Sequence, residues 1–421
     1  MMGSRQSTLD FMTAGIRTAC RRFRGRCAGS EAERRCQQYF RRLLAPWCDT
    51  AALEPFTLHP RAFLGWLALA GGLNLCSLGL YWAGLLLPSP LFPALGLAAS
   101  AGALVMGVCE FLLYRRLIDP LFPQAASCNL YACRRPVHEV RRRIIFCGHA
   151  DAAYEMRYFL PGFRRLLWPL IAGAVLGMVA LILLQSFLLV RRLGAAPLPF
   201  SSLWPGLAAS LFAPFFAGIL FFINWRVVAD GANDNLSGCF TAMAVIKHLA
   251  DQGARYAHTE IGCLITGAEE AGLRGAQAFA KAHHHELTGT ETVLITLDTL
   301  KDPAQLMVYP HGINGLQANS PAAVELLQRA ASTCGCPLPK APPYPGATDA
   351  EAFSRAGLAA CSLCGIDHHP QQDYHTRYDT ASAISPECLY QTLNICLEAV
   401  RIFDREGLGQ KEAALPQRES R

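Results

Sequence analysis

Long stretches without charge constrain the fold of this chain more than any other feature of its sequence. Residues 62–109, 166–190 and 193–225 contain no charged side chain, and three prolines between Pro88 and Pro93 divide the first stretch in two. A helix that crosses a bilayer needs ~20 apolar residues, whereas a buried core helix of this length normally keeps a polar stripe. We therefore predict four spans in two hairpins, with a lipid bilayer as a partner. The spans are expected near 62–87, 93–114, 166–190 and 202–225.

The basic residues around these spans predict how the chain is oriented. Arginines are frequent in the segments before, between and after the two hairpins, whereas the presumed outer turns contain only Arg191 and Arg192. Basic residues of membrane proteins accumulate on the cytoplasmic side of the bilayer. We therefore expect a multi-pass protein of a bacterial cytoplasmic membrane, with its hydrophilic domain facing the cytoplasm.

Composition agrees with a membrane location and argues against other classes of protein. Charged residues are 17% of the chain, compared with ~25% in a soluble protein. The net charge of +6 is mild and dispersed, and no nucleic-acid recognition motif accompanies it, so we predict no nucleic-acid partner. The 17 cysteines are odd in number and lie inside apolar runs as often as outside them. This distribution predicts free thiols in a reducing compartment.

The hydrophilic residues alternate between predicted strands and helices. Residues 143–147 form one apolar strand, and further strands near 260–266, 292–297 and 358–364 are separated by helical segments. The alternation is typical of an α/β fold with a mixed, largely parallel sheet and helices on both faces, here interrupted by two transmembrane helical hairpins. The predicted divisions are an N-terminal helix and first strand at 1–61, a first hairpin at 62–114, a segment at 115–165, a second hairpin at 166–225, a main domain at 226–410 and a flexible tail at 411–421.

Seven acidic and histidine side chains lie where predicted strands end or where helices begin. Some follow directly after a strand, and the others lie in short loops that lead into a helix. In an open α/β sheet, the crevice outside the carboxyl ends of the strands is where ligands bind. Residues far apart in the sequence are therefore expected to meet there. These seven are His149, Asp151, Asp234, Glu269, Glu270, Asp298 and His375.

Such a group of imidazoles and carboxylates predicts a pair of divalent cations. Carboxylates that are packed together without a cation repel one another. Imidazole and carboxylate are normal zinc ligands, and two neighbouring zinc ions need one ligand that bridges them. We expect the first zinc to take His149 and Asp298, the second to take Glu270 and His375, and Asp234 to bridge both.

The two remaining residues suit supporting and catalytic roles. Asp151 is placed to accept the other ring N–H of His149 and so to fix its tautomer. Glu269 is placed to act as a general base toward a water molecule beside the metals. Other acidic and histidine residues have more ordinary interpretations. Asp349 is expected to cap the helix that begins at Ala350, and the pair His368-His369 is expected to face solvent.

At these motifs the chain resembles the zinc aminopeptidases of the bacterial leucyl aminopeptidase and aminopeptidase Y type, in a membrane-embedded variant. The family's relatives include glutamate carboxypeptidase-like proteins and glutaminyl cyclases. The resemblance implies two zinc ions with the ligand roles given above. It also implies release of residues from the N-terminus of peptides. The matching stretches are Gly148–Asp151, Gly231–Gly238, Ala268–Gly275, Leu297-Asp298 and His375–Thr380, with Gly29–Glu33 similar to the family's opening helix.

We therefore expect a membrane-anchored di-zinc metallopeptidase, in which a metal-activated water and a glutamate base hydrolyse N-terminal residues from peptides. The catalytic domain would contain both hairpins as insertions: His149 and Asp234 are 85 positions apart, and most of that interval is membrane span. Two alternatives remain at this stage: a single-zinc acyl transferase like glutaminyl cyclase, and an inactive, receptor-like binding module. A transporter is disfavoured because the spans contain almost no polar residue.

Overall fold

A computed structural model of the protein describes residues 2–194, 202–313, 315–343, 346–366 and 373–409. The predicted tail at 411–421 and the pair His368-His369 lie outside these residues. All 17 cysteines lie within them and are free thiols, as predicted. The α-helices are α1 (Met2–Arg22), α2 (Glu31–Leu44), α3 (Ala62–Leu86), α4 (Leu91–Met106), α5 (Leu167–Leu193), α6 (Leu203–Ser210), α7 (Ala213–Leu220), α8 (Gly238–Asp251), α9 (Arg274–Thr288), α10 (Pro321–Thr333), α11 (Asp349–Arg355) and α12 (Pro386–Glu406).

Seven strands form a mixed sheet in the order β1-β2-β6-β3-β7-β9-β8, and β4 and β5 form a separate two-stranded ribbon. The four central strands, β6, β3, β7 and β9, are parallel, while the strands at both edges are antiparallel. This arrangement confirms the predicted α/β fold. The strands are β1 (Thr50–Leu58), β2 (Ala125–Arg134), β3 (Arg142–His149), β4 (Tyr154–Met156), β5 (Ile223–Val228), β6 (Thr259–Thr266), β7 (Glu291–Leu300), β8 (Leu306–Tyr309) and β9 (Ala359–Gly365).

Helices cover both faces of the sheet, which explains why its central strands are buried on both sides and contain apolar runs. Every residue of β6 is buried, as are all but the first residues of β3 and β7. On one face, Phe240 of α8 and Val400 of α12 lie in the larger core cluster. On the other face, Phe279 of α9 and Phe353 of α11 lie in a second cluster. A strand that is buried on both sides loses the alternation of polar and apolar residues.

Four helices are long and apolar enough to cross a membrane: Ala62–Leu86, Leu91–Leu112, Arg164–Leu193 and Leu203–Leu220. The second continues α4 through a π-helical turn. The fourth ends five residues before its predicted end at 225, because Ile223–Val228 is strand β5 and pairs with β4. Asn224 donates a hydrogen bond to Glu155 in this ribbon at 2.9 Å, so the end of the predicted span belongs to the hydrophilic domain.

Each hairpin leaves the domain and returns between two strands that pair with one another. Leu58, the last residue of β1, pairs with Ala125, the first residue of β2, and the first hairpin lies between them. Met156 of β4 pairs with Ile223 of β5, and the second hairpin lies between those strands. An insertion whose ends are already adjacent adds little loop-closure cost to the rest of the fold. The geometry explains how a sheet domain accommodates two long insertions.

The helical bundle contains a few buried polar side chains that join its helices. The Ser77 hydroxyl of α3 donates to the carbonyl of Gly96 on α4 at 2.8 Å. Gln185 of α5 donates to the carbonyl of Ser77 at 2.6 Å. Hydrogen bonds between helices of this kind stabilise membrane bundles.

Candidate metal centre

The seven predicted side chains come together at the carboxyl ends of the central strands. His149 is the last residue of β3, and Asp298 lies near the end of β7. Glu269 and Glu270 follow β6, while Asp234 lies in the turn before α8 and His375 in the loop before α12. All except Glu270 are less than a tenth exposed. The convergence that the strand-end positions predict is present in the structure.

Asp234 lies between the two imidazoles. Its Oδ1 is 3.1 Å from His149 Nε2, and its Oδ2 is 3.0 Å from His375 Nε2. The turn that carries Asp234 packs closely against β7, since a Cβ on Gly238 would lie 2.0 Å from the carbonyl oxygen of Leu297. This packing places the carboxylate of Asp234 between the two imidazoles. A carboxylate that faces two imidazoles in this way has the geometry of a bridging ligand.

The other ligand atoms cluster around this carboxylate. His149, Glu269 and Asp298 offer three atoms that all lie within 4.8 Å of one another, and His149, Asp234 and Glu270 form a second such group. His375 Nε2 lies 3.3 Å from Glu270 Oε1. Asp298 therefore lies on the His149 side of the site and Glu270 is in contact with His375.

Several buried atoms in the site suit a metal ion. Among the described residues, Asp234 Oδ2 and Glu270 Oε1 are buried and form no hydrogen bond of normal geometry, although they lie 3.0 and 3.3 Å from His375 Nε2. Native proteins rarely leave buried polar atoms unsatisfied, and ions are one of the ordinary explanations. Imidazole nitrogens and carboxylate oxygens in groups of three match the ligand chemistry of zinc. The residues present therefore fit the zinc ions that the sequence predicts.

The electrostatics of the cluster support the same interpretation. Burial raises the pKa of Asp298 to about 8 and that of Glu269 well above its usual range. Burial also opposes protonation of His375, but Glu270 and Asp234 outweigh it and raise the pKa of this imidazole to about 10. These raised pKa values mean that bound protons neutralise part of the negative charge of the cluster. Divalent cations would displace those protons.

Asp151 supports both His149 and the loop that carries the predicted base. Its backbone oxygen lies 3.3 Å from His149 Nδ1, and its Oδ1 lies 3.5 Å from the same atom. Its two carboxylate oxygens accept hydrogen bonds from the backbone N–H groups of Glu269 and Glu270, each at 3.0 Å. The sequence suggested only the contact with His149, so the bonds to the glutamate loop are a finding of the structure.

Asp379 joins the loop of His375 to that of Asp234. Its carboxylate accepts hydrogen bonds from the backbone N–H of Asn233 at 2.8 Å, the side-chain amide of Asn233 at 3.0 Å and the backbone N–H of Asp234 at 3.0 Å. Two loops that each supply a ligand are therefore fixed to one another.

Glu33 is a supporting residue that sequence reasoning missed. Its fully buried carboxylate accepts a hydrogen bond from the backbone N–H of Ala268 at 2.8 Å, next to Glu269. It also accepts from Gly29 and from the Ser127 hydroxyl, at 2.8 and 2.9 Å. The only local signal is the spacing from Ser30 to Glu33, which is typical of a helix cap and says nothing about Ala268.

The expectation for Asp349 was wrong. Thr348, not Asp349, occupies the position before α11, and Asp349 is the first residue of the helix. Its buried carboxylate accepts a hydrogen bond from the Thr266 hydroxyl at 2.5 Å, at the end of β6. A carboxylate at a helix start is usually exposed and caps the helix; here the turn points inward beneath the site.

The chain is similar to a known protein family in sequence and to known proteins in fold. Residues 221–400 match the sequence profile of peptidase family M28, a stretch that includes five of the seven site residues but not His149 or Asp151. No curated protein matches the chain. The fold is similar to that of an aminopeptidase from Aneurinibacillus sp. strain AM-1, with a TM-score of 0.55 and 15% identity over 94% of this chain and 93% of that one.

Two further solved structures show the same fold at similar distance. BSAP, a zinc aminopeptidase from Bacillus subtilis, has a TM-score of 0.53 and 14% identity, with 93% of this chain and 95% of that one covered. A glutaminyl cyclase from an Acidobacteriales bacterium has a TM-score of 0.55 and 12% identity, with 95% and 96% covered. The resemblance predicted from the motifs agrees with these findings: residues 221–400 match the profile of peptidase family M28, and the fold is similar to those of zinc aminopeptidases and glutaminyl cyclases.

Proposed function

We propose that this protein is a membrane-anchored aminopeptidase with two zinc ions, which hydrolyses the first peptide bond of peptides that have a free N-terminus. The observation that carries the proposal is the position of Asp234, whose two oxygens each face one imidazole at 3.0–3.1 Å. Glu269 lies beside this group, with Oε2 at 3.8 Å from His149 Nε2. The match of residues 221–400 to peptidase family M28 supports peptide hydrolysis, and the resemblance to aminopeptidases supports the N-terminal preference.

Five residues would hold the metals in this proposal. His149 and Asp298 would hold the first zinc, Glu270 and His375 would hold the second, and Asp234 would contribute to both. Two zinc ions would act as Lewis acids, lowering the pKa of water and polarising the scissile carbonyl. Asp151 contacts the imidazole of His149 and Asp379 holds the backbone of Asp234, so these ligands need little reorganisation during the reaction.

Glu269 performs the proton transfer. Its carboxylate takes a proton from the attacking water, holds it at an Oε atom and delivers it to the nitrogen of the leaving amine. Glu269 is only 8% exposed, so bulk solvent has little access to it. Asp151 keeps the base in place through the backbone N–H groups of residues 269 and 270.

Amino-acid release from a panel of peptides tests this proposal. We expect the detergent-purified protein to release the first residue from free dipeptides and to leave their N-acetylated forms intact, because a free N-terminus defines an aminopeptidase substrate. A zinc chelator should abolish release, and added zinc should restore it. A peptide with N-terminal glutamine belongs in the panel. Its cyclisation without any hydrolysis would favour the cyclase alternative, and zinc binding without either reaction would favour the binding module.

The apolar helices support the membrane part of the proposal. Large side chains along α5 are more than two-fifths exposed on the isolated chain, among them Leu176, Leu183 and Val190. A water-soluble protein rarely exposes an apolar surface as long as a helix of this kind. Lipid would cover this face in a bilayer.

Reporter fusions test the proposed topology. We expect fusions after Arg226 and at the C-terminus to report the same side, the cytoplasm, because four spans return the chain to the side on which it began and arginines predominate there. Protease protection of the same sites in sealed vesicles is an independent measurement. An external signal at either position would overturn this orientation. The bacterial origin of the membrane stays a prediction.

A further inference from the structure

We propose that Glu155 and Arg377 are positioning residues, which fix the ligand His375 to the ribbon that carries the second membrane hairpin. Zinc affinity at the His375 side of the site would then depend on this hairpin. The inference rests on the proposed zinc site, and its test is designed so that the two can fail separately.

His375 needs support from its neighbours to hold its conformation. Its φ angle is +50°, in the left-handed region that side-chain-bearing residues rarely adopt. Such conformations persist where the surroundings fix them. One support is the carbonyl oxygen of His375, which accepts a hydrogen bond from the backbone N–H of Met156 at 2.9 Å. Another is the ring of Tyr374, which stacks on the imidazole at 3.9 Å.

Glu155 and Arg377 hold the loop of His375 from one side. The side chain of Glu155 is 0% exposed, and it accepts hydrogen bonds from Arg377 Nε at 2.6 Å and Nη2 at 2.7 Å. Such a two-bond pair fixes direction as well as distance. Asn224 of β5 donates to the same carboxylate at 2.9 Å. The buried carboxylate of Glu155 therefore joins both strands of the ribbon to Arg377, which lies two positions after His375.

The ribbon continues directly into the second hairpin. β4 precedes α5, and β5 follows α7, so both strands connect the hairpin to the domain. Phe159, between β4 and α5, lies 6.0 Å from the ring of Tyr374 and 6.4 Å from that of His375. The same phenylalanine packs in a cluster with Leu167 and Leu170 at the start of α5. A change in the position of the hairpin would therefore alter both the packing and the hydrogen bonds that support His375.

The opposite side of the loop is held by the sheet domain. Asp379 binds the Asp234 turn, as described above. The loop from His375 to Asp379 thus has one anchor in the peptidase core and one in the ribbon. Loss of the ribbon anchor should loosen His375 while the other ligands keep their positions.

Zinc affinity of the full-length protein tests this role. We expect Glu155→Gln to weaken one of the two zinc sites by about 10-fold in competition with a chelator of known affinity, since removal of an outer partner of a ligand typically costs 10–100-fold. The second site should keep its wild-type affinity. The matched control is Glu260→Gln, which breaks the buried Glu260–Arg143 pair at the far end of β6. That variant should lower the melting temperature without changing zinc affinity.

Arg377→Lys provides a second variant, because Arg377 is half-exposed and its replacement leaves the core intact. Lysine keeps the charge but cannot form the two-bond pair, so we expect a weaker loss of zinc affinity than in Glu155→Gln. Wild-type zinc affinity in both variants would overturn the positioning role, as would an equal loss in Glu260→Gln. A wild-type protein that binds no zinc would instead contradict the proposed function.

Discussion

Glu269→Gln is expected to lower kcat by about 10³-fold while both zinc ions stay bound, in the range typical of a lost general base. Glutamine has the same shape but cannot accept and deliver the proton. The loop around the base should not change, because its backbone N–H groups are held by other carboxylates. Ala268 donates to Glu33, and residues 269 and 270 donate to Asp151. The measurements are steady-state hydrolysis of a free dipeptide and zinc content of the same sample.

A matched control for this substitution is Glu351→Gln. Glu351 is also buried, but it pairs with Arg355 on α11 and does not belong to the seven site residues. We expect that variant to lose some stability and to keep kcat near the wild-type value. If Glu269→Gln kept more than about a tenth of the wild-type kcat with zinc bound, another group would have to be the base, since a positioned base contributes at least ~10²-fold.

Local patterns in the sequence predicted the central elements well. Helix α12 begins at Pro386, where the sequence has its own start signal, because the Ser385 hydroxyl accepts the backbone N–H of Cys388 and proline suits the first turn. The strand predicted at 292–297 extends to Glu291–Leu300. Such elements carry their own boundary signals, and burial on both faces makes their apolar runs long enough to recognise.

Strand β2 was missed because its burial depends on distant neighbours. Polar residues interrupt it, and Asn129 is buried in its middle. The amide of Asn129 donates to the carbonyl of Gly275 and accepts from the backbone N–H of Gly267. These partners lie more than a hundred positions away in the sequence. The local sequence of the segment therefore does not indicate a buried strand.

At the site, local sequence patterns identified the seven candidate residues but not the contacts of the residues that support them. Five of the seven side chains lie at or just after a strand end, where the sheet brings them together, whereas Asp234 and His375 lie in loops before helices. Glu33 has no such mark, since its partner Ala268 is 235 positions away. Asp349 was misread because its sequence context suits a cap, while its burial follows from the packing of α11 beneath the site. Tertiary contacts, not local pattern, decide these supporting roles.

Asp234→Asn is expected to remove both zinc ions, and hydrolysis with them. An asparagine side chain offers one oxygen and one amide N–H₂ group in place of two carboxylate oxygens. The N–H₂ group would face either His149 or His375, and one metal would lose a ligand in each case. The remaining metal would be held by fewer negative charges. The loss should exceed the ~10–100-fold that outer partners contribute.

Zinc content after dialysis, together with chelator competition, measures this effect without relying on activity. Asp349→Asn is the informative control, because Asp349 is an equally buried carboxylate near the cluster that lies outside both groups of ligand atoms. An asparagine there can still accept the hydrogen bond from Thr266, so we expect both zinc ions to remain. Equal zinc loss in the two variants would mean that the total negative charge of the site, and not the bridging position of Asp234, holds the metals.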